Sequence, residues 1–287
     1  MCSSDLAWMF AAYQPALTRT ERTVTFTFDG STATKAASEV SHFFNASQTA
    51  QPWPSLRTRA VVDWGPTNVD GVLPSLNGAT YPHGNFDILE HRQNFTGSAS
   101  ADWMASARWF VGVRAGYFTS NRTTANVVEE PLFIFGRPNI GLLDVPQPLQ
   151  QVAGFQTDVS NDVSNVDRLS RVNAQIDATL FGHLAGQHTL KGGLQLDRRS
   201  NDVSKGGSAN RVLLQWNAPV PPAQRGTYGF YRVFSNPVVP KRGEITLGTV
   251  SDTTIGLFVQ DAWTVSDRLT INLGLRTENE TVPFYTS

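Results

Sequence analysis

The chain has 287 residues, room for one large or two ordinary domains, with hydrophobic residues at 40%, charged residues at 16% and a formal net charge of −1. That balance leaves no electrostatic footprint for nucleic acid or an anionic membrane surface, and the single cysteine, Cys2, excludes an intrachain disulfide and a Cys-based metal site. The 23 Gly, 16 Pro and 10% aromatics suit an all-β protein with long turns, and no apolar run is long enough for a membrane-spanning helix, which leaves a strand-built barrel open.

The opening MCSSDL resembles a translated sequencing adapter, so residues 1–6 read as foreign to the natural protein, and no element is assigned within 1–22. No basic stretch followed by an apolar core marks a signal peptide. Residues 23–29 alternate cleanly, with Val24, Phe26 and Phe28 on one face, and form the first expected strand. Residues 30–93 carry Pro52, Pro54, Pro66, Pro74 and Pro82 without a sustained period, the pattern of a very long loop.

A hairpin follows. Phe95, Gly97, Ala99, Ala101 and Trp103 alternate with polar residues, and after a turn near 104–107 Trp109, Val111, Val113, Ala115 and Tyr117 do the same. Residues 119–168 are long and polar. A second hairpin sets Val172, Ala174, Ile176, Ala178 and Leu180, then Leu190, Gly192, Leu194 and Leu196, against Arg171, Asp177, Lys191 and Asp197. Residues 200–251 form another Pro-containing excursion.

The last hairpin, 253–278, is the clearest. Ile255, Leu257 and Val259, then Leu269, Ile271, Leu273 and Leu275, share one face around a turn at Asp267-Arg268. Asp261 falls on that apolar face, either tolerated near an interface or displaced by a bulge. None of the prolines falls inside these seven strands, as ladder hydrogen bonding requires.

Short turns alternate with long loops, Trp103, Trp109, Phe181 and Trp263 sit beside the short turns, and apart from Asp261 the charges lie on one face. This predicts a partial transmembrane antiparallel β-barrel of about seven strands over 23–287, with short periplasmic turns, long extracellular loops and an interface girdle of those four aromatics. A soluble carbohydrate-active β-sandwich and a surface adhesive barrel are the competing readings.

FVQDAW followed by RLTINLGLRTEN resembles the recurring barrel hairpin of TonB-dependent outer-membrane receptors, keeping Phe258, Gln260, Asp261, Trp263, Leu269, Thr270, Asn272, Gly274, Arg276 and Glu278. GQHTLKGGLQLDR resembles another strand opening of that family, and the Oar-like receptors with a carboxypeptidase-regulatory-like domain are the most similar subgroup. The resemblance implies a plug within a barrel of about 22 strands. It also implies energised uptake through TonB, outer-membrane lipid around the barrel, and a saccharide, siderophore or peptide as ligand. By the same expectation the chain is an interior fragment, lacking the plug, the TonB box and the terminal strand.

The five histidines are expected in loops and turns, with His183 and His188 sharing one, and Asp158, Asp162 and Asp167 in a solvated acidic loop. No G-x-S-x-G, Walker loop, H-E-x-x-H or G-x-G-x-x-G occurs, so no catalytic residue, metal or cofactor is expected.

Overall fold

The computed structural model describes residues 6–27, 29–74, 76, 85–158, 162–218, 228–237 and 243–281. Phe28, Pro82, His83 and the terminal PFYTS lie outside them. The described chain is all-β apart from a single 3-10 turn at Gln147–Leu149. Its strands are β1 (Leu6–Thr25), β2 (Thr32–Trp53), β3 (Leu56–Trp64), β4 (Thr67–Asp70), β5 (Leu89–Ser106), β6 (Trp109–Ala125) and β7 (Leu132–Phe135). They continue as β8 (Asp162–His183), β9 (Gln187–Gly207), β10 (Arg211–Trp216), β11 (Gly229–Phe234), β12 (Ile245–Ser266) and β13 (Leu269–Thr281).

One ten-stranded antiparallel sheet runs β1-β2-β3-β5-β6-β8-β9-β12-β13, with β4 continuing the line of β3 between β2 and β5. The seven expected strands correspond to part of β1 and to β5, β6, β8, β9, β12 and β13. The expected long loop over 30–93 is instead mostly sheet. β2 escaped notice because TATKAASEVSHFFNASQTAQPW mixes small and polar residues on both faces, so its period-2 contrast is faint. β3 does alternate, with Leu56, Thr58, Ala60, Val62 and Trp64 against Arg57, Arg59 and Asp63, but prolines crowd both its flanks.

Two prolines do sit within strands. Pro15 lies in β1, which pairs only with β2 among the described residues, so its missing N–H need not break a ladder. Pro52 lies at the end of β2, where the register against β3 shifts between Ala50 and Trp53. Residues 7–22 belong to β1, and the expected strand at 23–29 ends at Thr25. At its end Val24 and Phe26 are buried with Phe86, and the Gly30 N–H donates to the Phe26 carbonyl to close the following turn.

The register keeps one apolar face in phase across the sheet. Val113, Ile176, Leu194 and Leu257 form one cross-strand row, and Val111, Ala178, Gly192, Val259 and Leu275 the next. A soluble sandwich would cover such a face with a second sheet. Here Ile176, Leu194 and Leu257 stay about half exposed and Leu275 is 72% exposed, unlike the inner face of a sandwich.

Connections are tight at one end and long at the other. Residues 54–55, 107–108, 184–186 and 267–268 turn the chain at the first end, and opposite them 71–88, 126–161 and 208–244 are long excursions while 26–31 is a short turn. Two of these excursions build a separate three-stranded sheet, β11-β10-β7, in which β7 and β10 run parallel. Tyr228 fastens that sheet to the 126–161 excursion, its hydroxyl donating to Asp144 Oδ2 at 2.6 Å. The hydrogen bond to the carboxylate, partial burial and the carboxylate's charge together raise the Tyr228 pKa above its ordinary 10.0. A raised phenol pKa stabilises the folded form below pH 10, and this contribution is lost as pH climbs through the folded value. Titrating absorbance at 295 nm should show one tyrosine ionising late in the native protein, and the Tyr228→Phe variant should lack that component.

Candidate ligand-facing wall

The face opposite the apolar rows is built from the alternate residues of the same strands. One row across it reads Asp102, Gly112, Asp177, Gly193, Phe258 and Arg276. Asp177 is 1% exposed despite its charge. It is compensated from two strands: Arg114 Nη1 donates to Oδ1 at 3.0 Å, and Lys191 Nζ stands 3.2 Å from Oδ2 as an ion pair without hydrogen-bond alignment. Gln175 Nε2 adds a donor at 3.3 Å. Room for this cluster comes from the flanking glycines. A Cβ at Gly112 would stand 2.8 Å from Arg114 Nη1, and one at Gly193 would stand 2.7 Å from the Phe258 ring and 3.0 Å from Asp177 Cβ.

Two further clusters repeat this arrangement. Asp197, nearly buried, takes Arg171 and Arg199, and Arg199 Nη1 reaches Asp252 at 3.7 Å. Arg276 pairs with Glu278 on its own strand and donates to Gln195 Oε1 at 3.2 Å across β12. Gln260, Asn272 and Gly274 share this face, and Gly274 lets β13 pack close to Gln260.

Thr270 shares the polar face too, paired with Thr264, while Asp261, Trp263 and Leu269 lie on the apolar face. Pairing runs unbroken through Asp261, opposite Leu190 and Leu273, and the only shift in β12 is at Thr264/Ser266. No bulge displaces Asp261. Its charge is met instead by His188, whose Nδ1 is 2.6 Å from Oδ2 while its Nε2 faces the Leu184 carbonyl at 2.9 Å. Both ring nitrogens thus meet acceptors, the geometry of a ring carrying two N–H groups. Trp263 stacks on His188 at 5.4 Å, donates from Nε1 to the Ala185 carbonyl, and faces Ile271 across the pair. Leu269 opens β13 on this side.

Of the four aromatics placed beside the short turns, Trp103, Trp109 and Trp263 lie on the apolar face. Phe181 does not. It pairs with Thr189, one residue out of phase with Leu180, and points to the side of Asp177 and Thr179. A second aromatic row crosses the apolar face toward the long excursions, where Tyr13, Phe44, Trp64 and Phe95 are successive register partners and Tyr117 packs 6.1 Å from Phe95. Its members came largely from strands hidden by prolines and low contrast.

The histidines are not confined to turns. His42, His91 and His188 lie in β2, β5 and β9, and His188 is engaged with Asp261 rather than His183. Among the described residues no cluster of three or more His, Cys, Asp or Glu could hold a metal ion.

Replacing Asp177 with Asn leaves Arg114 and Lys191 facing each other without their shared anion. Unfolding by urea in detergent micelles should show a loss of roughly 3 kcal/mol. Adding Lys191→Met to that variant should cost less than the two single changes summed, because both act on one cluster.

A family model described as an outer membrane beta barrel domain matches residues 7–287. Among solved structures the chain is similar to the outer membrane transporter YddB from Escherichia coli, at 10% identity and a TM-score of 0.51, covering 96% of this chain and 33% of that one. It is also similar to BauA, the ferric preacinetobactin receptor from Acinetobacter baumannii, at 13% identity and a TM-score of 0.38, covering 96% and 41%. The likeness to YddB is one of fold, and this chain spans about a third of that protein's length. No curated protein sequence matches it. The chain belongs to the outer membrane beta barrel domain family, shares the fold of an outer-membrane transporter, and is a protein of the bacterial outer membrane.

Proposed function

We propose that this sheet is part of the closed, transmembrane wall of a TonB-dependent receptor of the Oar-like kind. In this reading the apolar face meets lipid and the polar face lines a hydrated interior. The long excursions contact a large or scarce nutrient, and uptake is energised through TonB.

The observation that carries the membrane placement is the height of the apolar band. On β6 the two aromatic levels, Trp109 and Tyr117, are eight residues apart. At about 3.3 Å per residue that is about 26 Å along the strand, or about 20 Å across a bilayer at a tilt of about 40°. Beyond Tyr117 the same face turns polar, with Thr119, Ser170, Ser200 and Ser251 in one row. A strand side needs hydrocarbon partners only within the band, and here its apolar character stops at the aromatic level. The TonB step and the subgroup rest on the hairpin motif from Phe258 to Glu278.

A lysine at Ile176, in the middle of the band, should cost about 2–4 kcal/mol of stability in lipid vesicles, whereas lysine at the adjacent Gln175 should be nearly neutral. Urea unfolding followed by tryptophan fluorescence measures both, and equal costs at the two positions would refute the assignment of faces. Loss of ligand uptake on deleting TonB distinguishes a transporter from an adhesive barrel, which would keep its surface binding.

A further inference from the structure

The polar face holds a trough of ≈ 650 Å³ that its ion pairs leave open. Its floor is made of short side chains, Ser98 and Ser100 on β5 with Gly116 on β6. The register explains the shape: Ser100 is the direct partner of both Arg59 on β3 and Arg114 on β6, so two long side chains flank a short one. Arg171 on β8 extends the far wall.

The charge balance of this trough differs from the surrounding wall. Three guanidinium groups line it together with amides and hydroxyls, and no carboxylate does. Asp102, Asp177 and Asp197 pair with Arg114 and Arg171 from outside the lining, and those two arginines still expose 47% and 49% of their side chains. Arg59 is exposed and enters no ion pair among the described residues. Arg59 is thus the one unpaired cation of the three, and the N–H groups that Arg114 and Arg171 still expose stand beside it, a surface that favours planar oxyanions through paired N–H groups.

Shape narrows the ligand further. The volume lies within the range of small-molecule sites, but it is spread over five adjacent strands, β3, β5, β6, β8 and β9. Four inter-strand steps of about 4.8 Å give a length of about 19 Å. A single small anion would leave most of that length empty.

We infer that the trough binds a linear oligoanion, a chain carrying carboxylate or phosphate groups, and that Arg59 is a specificity-determining residue for it. This rests on the polar face being the interior wall of a receptor barrel, and it narrows the ligand class of that receptor. Arg59 supplies the unpaired cation, Arg114 and Arg171 supply the opposite wall, and the Ser98–Ser100 floor sets the depth.

The test is calorimetric titration of the intact protein in detergent micelles with tetragalacturonate, tripolyphosphate and neutral maltotetraose. Binding of at least one oligoanion, weakening as salt rises, with none of maltotetraose, is expected; which oligoanion binds tells carboxylate from phosphate. Arg59→Gln should weaken binding about tenfold. Ser100→Phe, which fills the floor without altering charge, should abolish it, and heat-modifiable gel mobility confirms that both variants fold. Equal binding of maltotetraose, unchanged affinity in Arg59→Gln, or no oligoanion binding by protein folded in the outer membrane would each overturn the trough assignment while leaving the barrel reading intact. Failure of the protein to reach the outer membrane would overturn the barrel reading, and this inference with it.

Discussion

The structure depends on unbroken antiparallel register. Each strand presents alternate residues to opposite sides, so a slip of one residue anywhere between β1 and β13 would exchange the apolar and charged faces of everything beyond it. The irregularities are placed where they do no such damage. Three of the register shifts, at Ala50/Trp53, Met104/Ser106 and Thr264/Ser266, sit against the short turns, and the one at Ser164/Val166 sits by a long excursion. Between these limits every row from β5 to β13 continues in phase.

In-phase register also explains how a charged face tolerates its own chemistry. Asp177 and Asp197 are nearly buried because neighbouring strands offer cations diagonally opposite, and glycines at 112 and 193 vacate the space those long side chains need. On the other face the same logic neutralises an exception. Asp261 is acceptable among leucines because the adjacent strand delivers His188 to it, with Trp263 stacked over the pair. Charges on both faces are thus settled mostly across strands, with i, i+2 pairs such as Arg276–Glu278 and Arg199–Asp197 adding to them along a strand.

That is also where legibility in the sequence ended. Strands with strong apolar–polar contrast, such as 269–278, announced their faces residue by residue, and the hairpin turns followed from them. β2 did not, because Ala, Ser, Thr and Asn fill both its sides, and β3 was hidden by Pro52, Pro54 and Pro66 although its own pattern is regular. The strands also run well past the apolar band, where alternation carries no hydrophobic signal, so their ends at Ala125, Gly207 and Ile245 were invisible. Pairings such as Asp177 with Lys191 or Asp261 with His188 depend on which residues the register sets side by side. No spacing within a single strand encodes them. Phe181 shows the converse: proximity to a turn was legible, but its face hinged on one residue of phase.

The small sheet of β7, β10 and β11 gives the long excursions a property that loops rarely have. β7 belongs to the excursion joining β6 to β8, and β10 and β11 to the one joining β9 to β12. Parallel pairing of β7 with β10 therefore stitches two separate crossings into a single body, clamped at four points to the upper ends of β6, β8, β9 and β12. A push on either crossing is shared by the other.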